Sequence, residues 1–159
     1  ALVLNKLFTK QLNNKKEYDY VFMDCPPALN LITVNSLVAA SMVIIPLQTE
    51  FFALEGLSQL MITIKEIRTT FNKDLRILGV LLTMFDKRNN LSIQIEEDVR
   101  STLSDLVFTT MIPRNVKLSE APSYSIPGVI YDQKCNGSVA YQKLVAEFLK
   151  RERKILSLK

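Results

Sequence analysis

The side chains in this chain that could do chemistry stand directly after its apolar runs. Asp24 closes the run Tyr20-Val-Phe-Met23 and is followed by Cys25, Pro26 and Pro27. A carboxylate at the end of a buried strand can hold a water of hydrated Mg²⁺, and it can equally cap the helix that follows. The paired prolines force the chain out of regular structure and stiffen the loop. After the run Met42-Val-Ile-Ile-Pro46, Glu50 and Glu55 lie five residues apart across a loop-to-helix junction. They read as helix-start charges favoured by the dipole rather than as a catalytic pair. A fourth run, Val107 to Ile112, leads into Pro113-Arg114-Asn115-Val-Lys117-Leu-Ser-Glu120-Ala-Pro122. A planar guanidinium behind a proline can stack on a base or pair with a carboxylate.

The third run, Ile77 to Thr83, ends in Met84-Phe85-Asp86. A guanine-reading Asn/Thr-Lys-x-Asp motif needs lysine where Met84 stands, which argues against guanine recognition. Lys87 and Arg88 follow in what reads as an exposed, solvated loop. The chain has no histidine, and its two cysteines, Cys25 and Cys135, follow no metal spacing. Zinc, haem and histidine-activated nucleophiles are thereby disfavoured, and the thiols read as reduced and structural. Neither a Gly-x-x-x-x-Gly-Lys-Ser/Thr phosphate loop nor a Gly-x-Gly-x-x-Gly turn occurs, so the backbone cradle that holds β- and γ-phosphates is missing.

These residues must be positioned by alternating strands and helices. The four runs are continuous rather than alternating, as in strands buried on both faces. Leu54, Leu57, Leu60, Met61, Ile64, Ile67 and Phe71 form one apolar stripe of a long helix. Ile95, Val99, Leu103 and Leu106 stripe a weaker helix from Ser92 to Leu106, and Ala140, Leu144 and Phe148 stripe a C-terminal helix ending in a basic run. Residues 2–12 read as a further helix. The pattern predicts an α/β fold, with a mostly parallel sheet covered by helices on both faces and its chemistry at the carboxyl ends of the strands.

The 159 residues suit one domain, with a basic tail over about 150–159. With 48% apolar and 23% charged residues the composition is that of a soluble globular protein. No run approaches the roughly 18–20 apolar residues of a membrane span, and no signal peptide is visible. Twenty Lys and Arg against sixteen Asp and Glu give a net charge of +4, compatible with phosphate or nucleic acid but weak evidence alone.

Four stretches in register carry a resemblance. They are Tyr18-Asp-Tyr-Val-Phe-Met-Asp-Cys-Pro-Pro27, Pro46-Leu-Gln-Thr-Glu-Phe-Phe-Ala-Leu-Glu-Gly-Leu57, Ile112 to Pro122, and Tyr131-Asp132 with Gly137 and Ala140-Tyr141. Together they resemble the ParA/Soj chromosome- and plasmid-partition ATPases, deviant-Walker P-loop proteins related to MinD. The likeness covers residues 17–150, from the Walker B strand onward, with the N-terminal strands and their phosphate loop absent. It implies ATP and Mg²⁺ as cofactors and Asp24 as the Walker B aspartate, acting on Mg²⁺ through water. It places Pro26, Pro27 and Asn30 in the γ-phosphate-sensing switch loop, and Pro113 and Arg114 against adenine. Arg88 and Lys117 fall where such proteins put cations for sequence-independent DNA binding.

The family further implies an ATP-bound homodimer on non-specific DNA, a ParB-type partner that triggers hydrolysis, a cytoplasmic, nucleoid-associated location and no membrane role. The chain as given, without a phosphate loop, is expected to be inactive as an ATPase. The other readings are a MinD-like membrane-associated regulator, to which the short tail Arg151–Lys159 is poorly suited, and a non-catalytic remnant. Three positions depart from the pattern. Asn30 stands where glycine is common, Tyr124-Ser-Ile-Pro127 replaces an aromatic/His-Gly-Lys-Pro stretch, and Gln133 replaces a proline.

Overall fold

The computed structural model describes residue 4, residues 18–26 and residues 30–157. Among these, helix α1 (Leu31–Ala39) leads to strand β1 (Met42–Gln48), helix α2 (Ala53–Thr70), strand β2 (Arg76–Thr83) and helix α3 (Asn90–Leu103). A 3₁₀ turn at Ser104–Leu106 follows, then α4 (Val116–Glu120), a second 3₁₀ turn (Ala121–Tyr124), α5 (Gly128–Tyr131) and the long α6 (Asn136–Leu156). The helix expected over residues 2–12 lies outside the described residues, Leu4 excepted.

The fold is α/β with parallel pairing. β1 and β2 form a two-stranded sheet, and parallel bridges at Val80–Val107 and Phe85–Pro113 bring the fourth apolar run along the other side of β2. That run makes single bridges rather than a continuous strand, with Phe108 N–H donating to Val80 O at 2.9 Å and Ile112 N–H to Leu82 O at 2.9 Å. β2 is buried on both faces, as its unbroken apolar sequence predicts. β1 is not: Ile45 and Leu47 point inward while Pro46 and Gln48 are exposed. Pro46 has no N–H to give a ladder and is tolerated in this outer strand.

The expected first strand, Tyr20–Met23, takes no regular secondary structure and is not part of this sheet. Val21 and Phe22 are 49% and 73% exposed. An apolar run becomes a buried strand only where neighbours pair its backbone and cover both its faces.

The described residues divide into two compact units. One comprises residues up to Val43 with Ser58–Arg76, the other Ile44–Leu57 with the chain from Ile77 onward. In the first, Asn72 is the organising side chain. Its amide nitrogen shares two N–H bonds among the carbonyls of Leu37, Val38 and Ala40 at 3.0, 3.1 and 2.8 Å, closing the C-terminal end of α1. Ile64 and Ile67 supply the buried stripe of α2 in this unit; Phe71, which the stripe also predicted, falls past the helix end and is exposed.

In the second unit the core is Leu78, Val80, Leu82, Ile95, Val99, Val107, Phe108 and Ile112, all nearly or fully buried. α6 clamps the start of the fourth run. The Glu147 carboxylate accepts the backbone N–H groups of Thr109 and Thr110, both at 2.8 Å. Arg151 pairs with Glu147 at 3.0 Å, donates to Val107 O at 2.6 Å and Asp105 O at 2.9 Å, and lies 4.4 Å over the Phe108 ring. Burial pushes the Glu147 carboxyl up, but the two amide donors and Arg151 together hold it below its ordinary range. The expected basic tail therefore continues α6 as far as Leu156, and its Arg151 is turned inward.

Candidate functional site

In the first unit, Asp24 is exposed, and among the described residues no hydrogen bond or ion pair engages its carboxylate. The helix that follows is capped by Asn30, whose side-chain oxygen accepts from Ile32 N–H at 2.9 Å and Thr33 N–H at 3.2 Å. Of the two uses open to Asp24 in the sequence, the cap is thus taken by another residue. Asn30 has φ −104° and ψ −177°, ordinary extended backbone, so its place at a common glycine position requires no left-handed conformation. Pro26 is joined to α1 through its carbonyl, which accepts from Thr33 Oγ1 at 3.4 Å. Pro27, the other proline of the expected switch loop, lies outside the described residues.

In the second unit the carboxyl ends of β1, β2 and the fourth run converge. Thr49 is buried just past β1, donates its N–H to Thr83 O at 3.3 Å, and shares a hydroxyl bond of 3.0 Å with Ser92 of α3. Met84 turns the chain after β2 with φ 53°, unusual for a bulky residue. The chain then rejoins the fourth run, with Phe85 N–H donating to Ile112 O at 3.1 Å and Arg114 N–H to Phe85 O at 3.0 Å. Pro113 is thereby held half-buried, and the exposed Arg114 guanidinium reaches Glu50 only at 3.9 Å. So long and solvated a pair is weak and leaves the guanidinium available to a ligand. Glu55 lies in the first turn of α2, as expected of a dipole-favoured charge.

Arg88 projects from the loop after β2 with its side chain 84% exposed, yet it is not unpartnered. Its Nε and Nη2 fork onto the Asp86 carboxylate at 3.0 and 2.9 Å, and its backbone N–H adds a third bond at 3.0 Å. The Arg88 side chain, then its backbone N–H, hold the Asp86 carboxyl down at about 2, with a smaller contribution from Arg114. Asp86 is therefore fully ionised at neutral pH.

Lys117 stands on α4, which Asn115 caps by accepting Leu118 N–H at 3.3 Å. Its ammonium donates to Glu120 at 3.0 Å and lies 5.9 Å from the Tyr131 ring centre. Tyr131 O–H donates to the same Glu120 oxygen at 3.2 Å, and its ring stacks on Tyr124 at 5.1 Å. The hydrogen bond to Glu120 raises the Lys117 ammonium, and Lys117 in turn lowers the Glu120 carboxyl. Leu118, one residue on, packs directly against Gly137, where a side chain would overlap it. That contact fixes α4 against α6 and with it the outward direction of Lys117.

The resemblance singled out Arg88 and Lys117, and the residue pattern Arg114, without showing their acidic partners Asp86, Glu120 and Glu50. Asp86 is two residues from Arg88 and Glu120 three from Lys117, a proximity that carries signal only once turn and helix are known.

Ser125 occupies the position where the sequence suggested a lost glycine. Its φ of 54° and ψ of 33° are left-handed. Ser125→Gly is accordingly expected to stabilise the protein by about 0.5–1 kcal/mol, read as a rise in the urea midpoint. No rise would mean that the left-handed turn costs serine nothing here.

Comparison with known proteins places this geometry. Residues 3–77 match the model of an AAA domain. The chain is 56% identical over 136 residues to the chromosome partitioning protein ParA of Caulobacter vibrioides, covering 86% of this chain and 51% of that protein. It is 50% identical over 133 residues to the sporulation initiation inhibitor protein Soj of Bacillus subtilis, covering 84% and 53%. The chain thus spans about half the length of the curated relatives it matches. Among solved structures, cobyrinic acid a,c-diamide synthase from Mycobacterium smegmatis with bound ADP and magnesium superposes with a TM-score of 0.73 at 30% identity. That match covers 96% of this chain and 55% of the other.

Proposed function

Because the chain belongs to the ParA/Soj family of partition proteins, we propose that it serves ATP-dependent DNA segregation, holding DNA without sequence preference as an ATP-bound dimer. The observation that carries this reading is the division of roles between Asp24 and Asn30. The fold caps α1 with Asn30 and leaves the Asp24 carboxylate exposed, which supports reading it as the Walker B aspartate. Such a group suits a water of hydrated Mg²⁺, and among the described residues no structural bond competes for it.

Bound ATP with Mg²⁺ supplies the phosphoanhydride whose cleavage resets the protein. The residues of this chain bind and sense it. In the first unit, Asp24 would hold a water of Mg²⁺, and Pro26 and Asn30 lie on either side of the segment assigned to the switch. In the second unit, Pro113 offers a rigid apolar face to the adenine, and Arg114, held loosely by Glu50, a planar cation to stack beside it. Arg88 and Lys117 meet DNA phosphates, a contact that needs exposed cations and no reader of base edges. A ParB-type protein acting on the nucleotide-bound dimer, in the cytoplasm on the nucleoid, completes the proposal, which assigns no membrane role. Among the described residues no helix is long and apolar enough to cross a membrane.

Replacing Arg88 and Lys117 together by alanine in the intact gene product tests the DNA assignment. With ATP and Mg²⁺ present, fluorescence anisotropy should show affinity for an arbitrary duplex falling about thirtyfold, since charge-assisted phosphate contacts are lost. The salt dependence should shallow as well, by less than the roughly 2 in log–log slope that two unpaired cations would bring. Unchanged affinity would remove these two residues from the DNA face.

A further inference from the structure

We infer that Asp86 and Glu120 are built-in competitors for DNA phosphate, each neutralising one of the two cations proposed to hold DNA. The inference rests on the DNA-binding reading above and deepens it. Both cations are exposed, and both are already committed to a carboxylate of their own chain: Arg88 through a two-bond fork at 3.0 and 2.9 Å, Lys117 at 3.0 Å.

Neither acid is placed by chance rotamer alone. Asp86 also closes a turn by accepting the Arg88 backbone N–H at 3.0 Å, and its side chain is only 24% exposed against 84% for Arg88. The acid lies beneath and the cation outside. Glu120 is held from a second side by Tyr131 O–H at 3.2 Å, while the Tyr131 ring lies beneath the Lys117 ammonium. Neutral anchors therefore keep each carboxylate in position when its cation turns toward another anion.

Two consequences follow from this arrangement. Each pair carries no net charge, so it attracts few phosphates at long range and gathers little of the counterion-release gain an isolated cation brings. A phosphate that does arrive must share the cation with a fixed negative charge nearby. Monomer affinity for DNA is thereby held below what the cations alone would give. Retention on DNA then depends on two faces acting together, as in a dimer, because paired weak contacts multiply where single ones do not.

The test uses Asp86→Asn and Glu120→Gln together in the intact gene product with ATP and Mg²⁺. Both replacements keep an oxygen to accept the Arg88 N–H and the Tyr131 O–H, and an unchanged thermal midpoint certifies the fold. The double variant should bind an arbitrary duplex about tenfold more tightly, with a salt slope steeper by about 1–2. The Arg88→Ala/Lys117→Ala protein is measured beside it. Weakened binding there, with equal or lower affinity in the Asp86→Asn/Glu120→Gln protein, overturns the competitor role and leaves the DNA face standing. Unchanged binding in the alanine protein overturns the DNA face itself, and the inference with it.

Discussion

Asp24→Asn is expected to lower ATP hydrolysis by the intact gene product about a hundredfold or more, measured as phosphate release with DNA present, while the melting temperature stays the same. The two halves of this expectation have separate causes. Stability is spared because the carboxylate is exposed and the helix cap belongs to Asn30; surface changes of this kind fall within about 0.5 kcal/mol. Activity is lost because asparagine has no charge with which to hold metal-bound water, and the electrostatic part of metal-assisted phosphoryl transfer is worth several kcal/mol. Retained hydrolysis would return Asp24 to the rank of an exposed residue without chemical duty.

The second large effect is structural. Phe108→Ala should cost about 3–5 kcal/mol of unfolding free energy, a large fraction of the roughly 5–15 kcal/mol that holds a domain together. Phe108 is 0% exposed, and its ring fills the space that Gly79 leaves on β2, where an added Cβ would stand 2.7 Å from the ring and 2.8 Å from Leu106 O. The Arg151 guanidinium lies 4.4 Å over the ring. Truncation opens a cavity and strands a cation that also serves the Val107 and Asp105 carbonyls. Urea unfolding measures the loss, and a cost below 1 kcal/mol would show that this junction does not hold α6 to the sheet.

How far the sequence foretold this architecture depended on what each element needs from the rest of the chain. β2 and α2 were legible because their patterns are self-sufficient: an unbroken apolar run, and a stripe at helical period. Val107–Ile112 was legible as an apolar run but not as single bridges beside β2. Tyr20–Met23 has the composition of a strand and lacks the covered faces of one, a difference no local pattern contains. At the site, Asp24 and Arg114 stood out by type and position, and Arg88 and Lys117 through the family resemblance. What each one touches did not. Asn30 takes the helix cap that the sequence left open to Asp24, and Asp86 and Glu120 pair with two cations that had read as free. Arg151 is the clearest case: it reads as part of a basic tail and serves as a half-buried clamp, because α6 runs on long enough to bring it over Phe108.

The proposed function is DNA binding that depends on nucleotide and ignores sequence. The direct measurement is the affinity of the intact gene product for two duplexes of unrelated sequence, with ATP and Mg²⁺ and again with ADP, across a salt series. Equal affinities for the two duplexes are expected, with much weaker binding in ADP and a steep linear fall of log affinity with log salt. A marked preference for one duplex, or the same affinity with either nucleotide, would contradict this function.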